Sequence, residues 1–212
     1  MRSATLLKHN FSSPFSKSYW RKAVKNISNI HIMALTSLFV AMYILFNTFF
    51  KIPVGQNLNI MINFIPSSLC GMIGGPFVAL IYGFISDIIG FFLRPEYGFF
   101  PGYTLSTMTS SFIYAIFLFG AKYNVFLYVR IALSKLCVNV CVNILLNCLW
   151  SQMLFKKGYF YYLSASIVKN LVLLPIEIII MSIVITSIFM ILRIKNTPML
   201  NNKKKWFFIF PF

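Results

Sequence analysis

Residues 125–149, VFLYVRIALSKLCVNVCVNILLNCL, hold only Arg130 and Lys135 as charges, and they decide what kind of chain this is. A helix crossing a hydrocarbon core about 30 Å thick needs roughly 20 apolar residues, and this stretch exceeds that. Inside it Lys135, Asn139, Asn143 and Asn147 recur every four residues. Each four-residue step turns an α-helix by about 40°, so the four trace one slowly winding stripe about 18 Å long. Trp150 falls in the same sector, while Cys137, Cys141 and Cys148 face the other way. A lysine near mid-membrane costs at least about 2.5–3.5 kcal/mol, and buried amides need partners. The stripe is expected to face a bundle interior. There it either knits helices together by hydrogen bonds or lines a cavity, and its end at an outward-facing Trp favours the cavity.

The rest of the chain agrees with a membrane solvent. Of 212 residues 59% are apolar and 10% charged, against roughly 25% charged in a soluble domain; mean hydropathy is +0.80. Five further segments qualify as spans, at about 31–50, 59–74, 77–93, 103–121 and 163–192. The one at 59–74 is weakest, because Asn59, Asn63, Pro66, Ser67 and Ser68 interrupt it. It is acceptable only if those groups face protein or a cavity. The expected fold is an all-α membrane protein, six transmembrane helices in a compact bundle with an outward-facing ligand pocket. Residues 1–30 form a basic cytoplasmic or interfacial segment, 31–193 the transmembrane substrate-binding domain, and 194–212 a basic cytoplasmic tail.

The net charge of +16 reads as topology. The N-terminal tail carries Arg2, Lys8, Lys17, Arg21, Lys22 and Lys25; the C-terminal tail carries Arg193, Lys195, Lys203, Lys204 and Lys205. With Lys122 and Arg130, thirteen cations fall on one side, against Lys51, Arg94, Lys156 and Lys157 on the other. An even helix count with both termini cytoplasmic satisfies this bias. The apolar stretch after residue 30 is too long for a signal peptide and lacks a small-x-small cleavage site, so an uncleaved first helix is expected. FSKSYWRKAVKNI (15–27) is basic with Trp20 and is expected along the membrane interface. A bilayer is a partner; with no water-facing domain to present a basic patch, nucleic acid is not.

Chemistry for catalysis is missing from the sequence. The acids are Asp87, Glu96 and Glu177, the histidines His9 and His31. There is no nucleophile elbow, no P-loop and no C-x-x-C. No enzyme activity, metal or cofactor is expected, and the cysteines read as small packing residues. Transport or binding remains.

Three other features bear on binding. In the sixth span Lys169 and Glu177 stand eight residues apart across Pro175. At about 12 Å of axial separation they are not expected to touch directly. In the third, Gly83, Asp87 and Gly90 share a face, which reads as a close helix approach with Asp87 bonded to a neighbour. Arg94 opens RPEYGFFPGY (94–103), whose prolines and glycines, Gly102 among them, make a bent loop. Its Tyr97, Phe99, Phe100 and Tyr103 offer flat surfaces. Aromatics with Arg94 and Lys169 suit a flat heteroaromatic ligand with an acidic tail; an interfacial aromatic belt is the plainer alternative. Ala34, Ser37 and Ala41 form a small-residue face on the first span, suited to close approach by the internal bundle or by another subunit.

FFPGYTLS (99–106), preceded by YGFISDIIGFFLRP (82–95), resembles the folate-specific substrate-binding subunits of energy-coupling factor (ECF) transporters. LNCLW (146–150) and KNLVLLPIE (169–177) agree, and the resemblance covers roughly 30–193. It implies a six-helix protein that captures folate outside and associates with a transmembrane coupling subunit and two ATP-binding subunits. It also implies toppling in the bilayer to release the vitamin, and docking through small residues on the first helix. The expected ligand-binding set is Arg94, Tyr97, Phe100, Pro101, Gly102, Asn143, Asn147, Trp150 and Lys169. The pterin sits among Tyr97, Phe100, Pro101 and Trp150 with Asn143 and Asn147 on its ring nitrogens, and the glutamate lies near Arg94 and Lys169. The expected docking set is Ala34, Ser37 and Ala41, although only Ser37 with Ala41 keeps the family's four-residue spacing. The family often has an Arg three residues before the sixth-helix Lys; Ser166 stands there, which shifts carboxylate binding onto Lys169 and Arg94. The alternatives are the same architecture carrying riboflavin, thiamine or a deazapurine, and a non-transporting scaffold.

Overall fold

A computed structural model describes residues 16–50, 52–55, 58–93, 99–121, 123–155 and 158–195, without the side chains of 52–60, 155 and 191–195. Seven helices account for nearly all of it. α1 is Lys17–Ile27, started by the Ser16 hydroxyl accepting from the Ser18 N–H. α2 is Ile30–Phe49, where Asn29 Oδ1 accepts from the His31 N–H at 3.1 Å. α3 is Phe64–Gly74, and α4 is Pro76–Leu93. Between them Gly75 has φ 85°, a left-handed turn that glycine adopts without a Cβ clash, and Pro76 suits the start of the next helix. α5 is Pro101–Leu118, with Pro101 at the first helical position and Phe100 extended before it. α6 runs as an α-helix over Val125–Val138, as a π-helix over Asn139–Leu146, and as an α-helix again over Asn147–Phe155. α7 is Tyr159–Lys195, unbroken through Pro175.

One departure from an all-helical chain follows. A short antiparallel hairpin, β1 (Ile52–Gly55) with β2 (Leu58–Ile60), joins α2 to α3 and pairs Ile52 with Ile60. It takes the first residues of the stretch expected to begin a span at 59, so α3 starts later and has only 11 residues, about 16 Å of helix. Among the described residues four helices are long and apolar enough to cross a bilayer: α2, α4, α6 and α7. α5 has 18 residues, but its Thr and Ser content keeps it out of that group. The interruptions at Pro66, Ser67 and Ser68 are buried in protein, the condition on which that segment was acceptable.

The core lies where α2, α3, α4 and α5 meet, closed by α6 and part of α7. Tyr82, Tyr114, Met72, Leu118, Leu127 and Ile131 are among its largest fully buried side chains. Backbones approach closely at two glycines. A Cβ on Gly71 would stand 2.8 Å from Ala115 N, and one on Gly83 2.7 Å from Met108 Cα. Gly90 meets nothing closer than 3.6 Å, so of the two glycines flanking Asp87 only Gly83 enforces contact. α7 sits at the margin, and Val168, Leu171, Val172, Ile176, Ile179 and Ile183 on it are exposed. In a bilayer such a face meets lipid.

α1 is docked against the bundle. The Tyr19 hydroxyl donates to the Ala115 carbonyl at 3.1 Å and Asn26 Nδ2 to the Gly74 carbonyl at 3.0 Å. Gly74 ends α3, where carbonyls run out of helical partners, whereas the Ala115 carbonyl in the last turn of α5 also accepts the Phe119 N–H at 2.9 Å.

Candidate functional site

A cavity of about 360 Å³ opens between α4, α5, α6 and α7, with contributions from α2 and α3. One wall belongs to α4 and α5. Phe91 and Phe99 pack edge-on with centroids 5.2 Å apart, and Phe100 meets Tyr103 at 5.9 Å. Asp87 lies on the same wall, accepting from the Thr104 hydroxyl at 2.7 Å and the Thr107 hydroxyl at 3.3 Å. The Asp87 bond to a neighbouring helix was legible from its face; its place on the cavity was not.

The opposite wall, from α6 and α7, carries the polar stripe. Lys135 Nζ pairs with Glu177 Oε2 at 3.1 Å and stands 4.1 Å from the centroid of the Phe64 ring. The lysine and Asn139 are nearly sealed, 2% and 1% exposed. Asn139 Nδ2 donates to the same Glu177 oxygen at 3.5 Å. Asn143 Nδ2 donates to Asn139 Oδ1 at 2.9 Å and to Asn170 Oδ1 at 3.3 Å. Asn170 Nδ2 in turn donates to the Ser166 carbonyl at 2.9 Å, and the Ser166 hydroxyl donates to the Asn143 carbonyl at 3.1 Å. Glu177 therefore takes Lys135 as an ion-pair partner across the α6–α7 interface.

The π-helical turn reorders the stripe. An i→i+5 turn holds more residues than an α turn, so a four-residue step no longer overshoots. The drift of the asparagines is cancelled, and Asn143 and Asn147 both stay on the cavity. The same shift corrects two expectations. Cys148 lines the cavity instead of facing away from it, whereas Cys141 remains exposed. Trp150 turns towards α5, where its Nε1 donates to the Ser106 hydroxyl at 3.1 Å and its ring packs on Phe100 at 5.7 Å.

Of the nine expected ligand-binding residues, Phe100, Asn143, Asn147 and Lys169 line the cavity. Trp150, Pro101 and Gly102 are not among its lining residues; Trp150 and Gly102 pack against the lining residue Phe100, and Pro101 opens α5 beside it. A Cβ on Gly102 would run into Phe100 and stand 2.7 Å from Trp150 Cδ2, so the glycine lets both rings close over the N-terminus of α5. Arg94 and Tyr97 lie outside the described residues. Asn147 Oδ1 is buried with no hydrogen-bond partner among the described residues, an acceptor left for something that enters the cavity. Ala34, Ser37 and Ala41 are all exposed on α2, and the Ser37 hydroxyl is satisfied by the Met33 carbonyl at 3.1 Å. The internal bundle does not use that face. Asn170, Tyr43 and Ser106 are cavity residues that sequence reasoning passed over. Asn170 carried a signal, being an amide next to Lys169 within an apolar run.

A multi-pass helical membrane bundle enclosing a polar and aromatic cavity defines a membrane-embedded small-molecule binder. The chain belongs to the family of ECF transporter substrate-specific components, whose model matches residues 31–185. It is 30% identical over 154 residues to the folate transporter FolT of Clostridium novyi (strain NT), covering 73% of this chain and 87% of that one. It is 27% identical over 134 residues to the folate transporter FolT of Leuconostoc mesenteroides subsp. mesenteroides, covering 60% and 71%. Its structure resembles a crystal structure of FolT bound with folic acid, with TM-score 0.66 and 31% identity over 73% of this chain and 92% of that one.

Proposed function

We propose that this chain is the folate-binding component of an ECF importer. The cavity takes folate from outside, and a transmembrane coupling subunit with two ATP-binding subunits drives its delivery inward. The observation that carries the reading is the cavity itself, aromatic on one wall and cationic on the other, in a chain similar to FolT over nearly all of that protein's length. A fused heteroaromatic ring suits Phe100 and Tyr103, with Pro101, Gly102 and Trp150 beside Phe100. Lys169, together with Arg94, suits the glutamate carboxylates. Asn147 keeps an acceptor for a ligand N–H donor, while Asn143 has both amide hydrogens engaged within the protein and acts by holding the wall.

In this reading α2 to α7 make six crossings, both termini are cytoplasmic, and 31–193 is the binding domain in the plasma membrane. The exposed Ala34, Ser37 and Ala41 are the docking face for the coupling subunit. The chain hydrolyses nothing itself. The test is calorimetric titration of the purified chain, stripped of co-purified ligand, with folic acid. Saturable binding is expected, lost when Asn147 and Trp150 are both replaced by Leu. No folate binding together with tight binding of another vitamin overturns the reading.

A further inference from the structure

Asp87 is an odd residue to find on the wall of a cavity that receives an anion. Its carboxylate repels a diacid and costs several kcal/mol to hold away from water without compensation. Among the described residues no cation neutralises it; its recorded partners are the Thr104 and Thr107 hydroxyls. A carboxylate offers about four acceptor sites, so two hydroxyls leave acceptor capacity unspent. Asp87 lies on the α4–α5 wall with the aromatic rings, and the lysines lie on the α6–α7 wall. Donors that could use the spare acceptors must therefore come with a flat ring, at the end of the ligand away from its carboxylates.

We infer that Asp87 reads the donor edge of the pterin, its carboxylate accepting from the ring N3–H and the exocyclic 2-amino group. The inference rests on the folate reading above and deepens it. The bidentate match is the one a carboxylate makes with any 2-amino-4-oxopyrimidine. Thr104 and Thr107 are positioning residues, fixing the carboxylate plane from α5. The arrangement also orients the ligand: the pterin lies on the α4–α5 wall and the glutamate on the α6–α7 wall. Ligands whose ring edge presents acceptors, as a flavin's carbonyls do, meet repulsion from Asp87 in place of two bonds.

The test compares folic acid with its 2-desamino analogue on the full-length chain in detergent, before and after Asp87→Asn. Charged hydrogen bonds of this kind correspond to roughly ten- to hundredfold in affinity. The wild type is expected to prefer folic acid by at least about tenfold. Asp87→Asn, which keeps the shape but replaces one acceptor oxygen by an amide donor, is expected to shrink that preference by weakening folic acid more than the analogue, which offers only the N3–H. Equal binding of both ligands by the wild type overturns the inference without reference to any variant. So does an Asp87→Asn protein that weakens both ligands alike, the mark of a purely structural role. If the wild type binds folic acid and the preference is missing, only this inference falls. If it binds no folic acid, the folate reading falls and this one with it.

Discussion

Lys135 on α6 and Glu177 on α7 meet at 3.1 Å across the interface between the two helices, with Asn139 on the same carboxylate oxygen. The lysine that interrupts the fifth span is thus neutralised inside the protein, and Lys169 is the second cation that lines that wall. Breaking a buried pair strands one charge, at a cost of about 3–5 kcal/mol, whereas replacing both partners by apolar groups of similar size is close to neutral. Lys135→Met or Glu177→Gln alone should therefore lower the thermal midpoint strongly. The double change Lys135→Met with Glu177→Met should recover most of it and retain folate binding within a few-fold. Thermal unfolding in detergent with calorimetry on each variant checks both outcomes. A double variant that is stable but has lost folate would return Lys135 to the ligand.

Lys169 predicts a different pattern. It lines the cavity, half-buried, and its charge is assigned to the glutamate end of the ligand. Lys169→Met should weaken folic acid by roughly ten- to hundredfold, with little effect on pteroic acid, which lacks the glutamate. Competition titrations of the two ligands against the variant decide this, and equal weakening of both would reject the assignment.

The Ser166 hydroxyl reaches a main-chain carbonyl inside the π-helical turn, that of Asn143, at 3.1 Å. A widened turn trades its α bonds for longer-range i→i+5 ones, and a side-chain hydrogen bond onto it is worth about 0.5–1.5 kcal/mol. Ser166→Ala should destabilise the chain by that amount and weaken folate several-fold, because Asn147 follows the π turn. Ser166→Thr, which keeps the hydroxyl, should restore both, as read by thermal unfolding and titration.

That contact also explains what was legible beforehand. The asparagine stripe announced an interior wall because a four-residue polar period in an apolar run has one physical meaning. Its register was misread at Cys148 and Trp150 because the π turn depends on a serine one helix later in the chain, and no local propensity encodes it. The Thr104–Asp87 pair was half legible: an acid between glycines asks for a neighbour but does not reveal that a cavity lies beside it. The hairpin at 52–60 had no period to read. α1 was readable as a basic segment, but its Tyr19 and Asn26 anchors depend on where α3 and α5 end.

Gly83 and Gly90 look equivalent in sequence and are not. A Cβ at 83 would stand 2.7 Å from the Met108 Cα and 2.9 Å from its N, backbone atoms that cannot move without shifting α5. At 90 the nearest atoms are side-chain ends at 3.6 and 3.8 Å. Gly83→Ala should cost about 1–3 kcal/mol by overpacking and, by moving α5 relative to Asp87, should weaken folate. Gly90→Ala should be neutral or slightly stabilising, since it reduces the freedom of the unfolded chain. Parallel thermal scans of the two variants read the contrast.

The small-residue face of α2 offers the cleanest separation of binding from transport. Ala34, Ser37 and Ala41 are exposed and contribute nothing to the bundle core, and Leu38 beside them is 62% exposed. A face of that kind lets a second backbone approach closely, and a large side chain would prevent the approach without touching the cavity on the other side of the helix. Ser37→Trp and Ala41→Trp should therefore leave folate affinity and thermal midpoint within error of the wild type. The same variants should abolish folate uptake and co-purification with the coupling subunit in cells that express the complete importer. Ala34→Trp lies one turn earlier, outside the Ser37–Ala41 spacing, and should impair uptake less. If all three variants transport normally, the docking face lies elsewhere. If they lose folate binding in isolation, α2 supports the cavity rather than the partner.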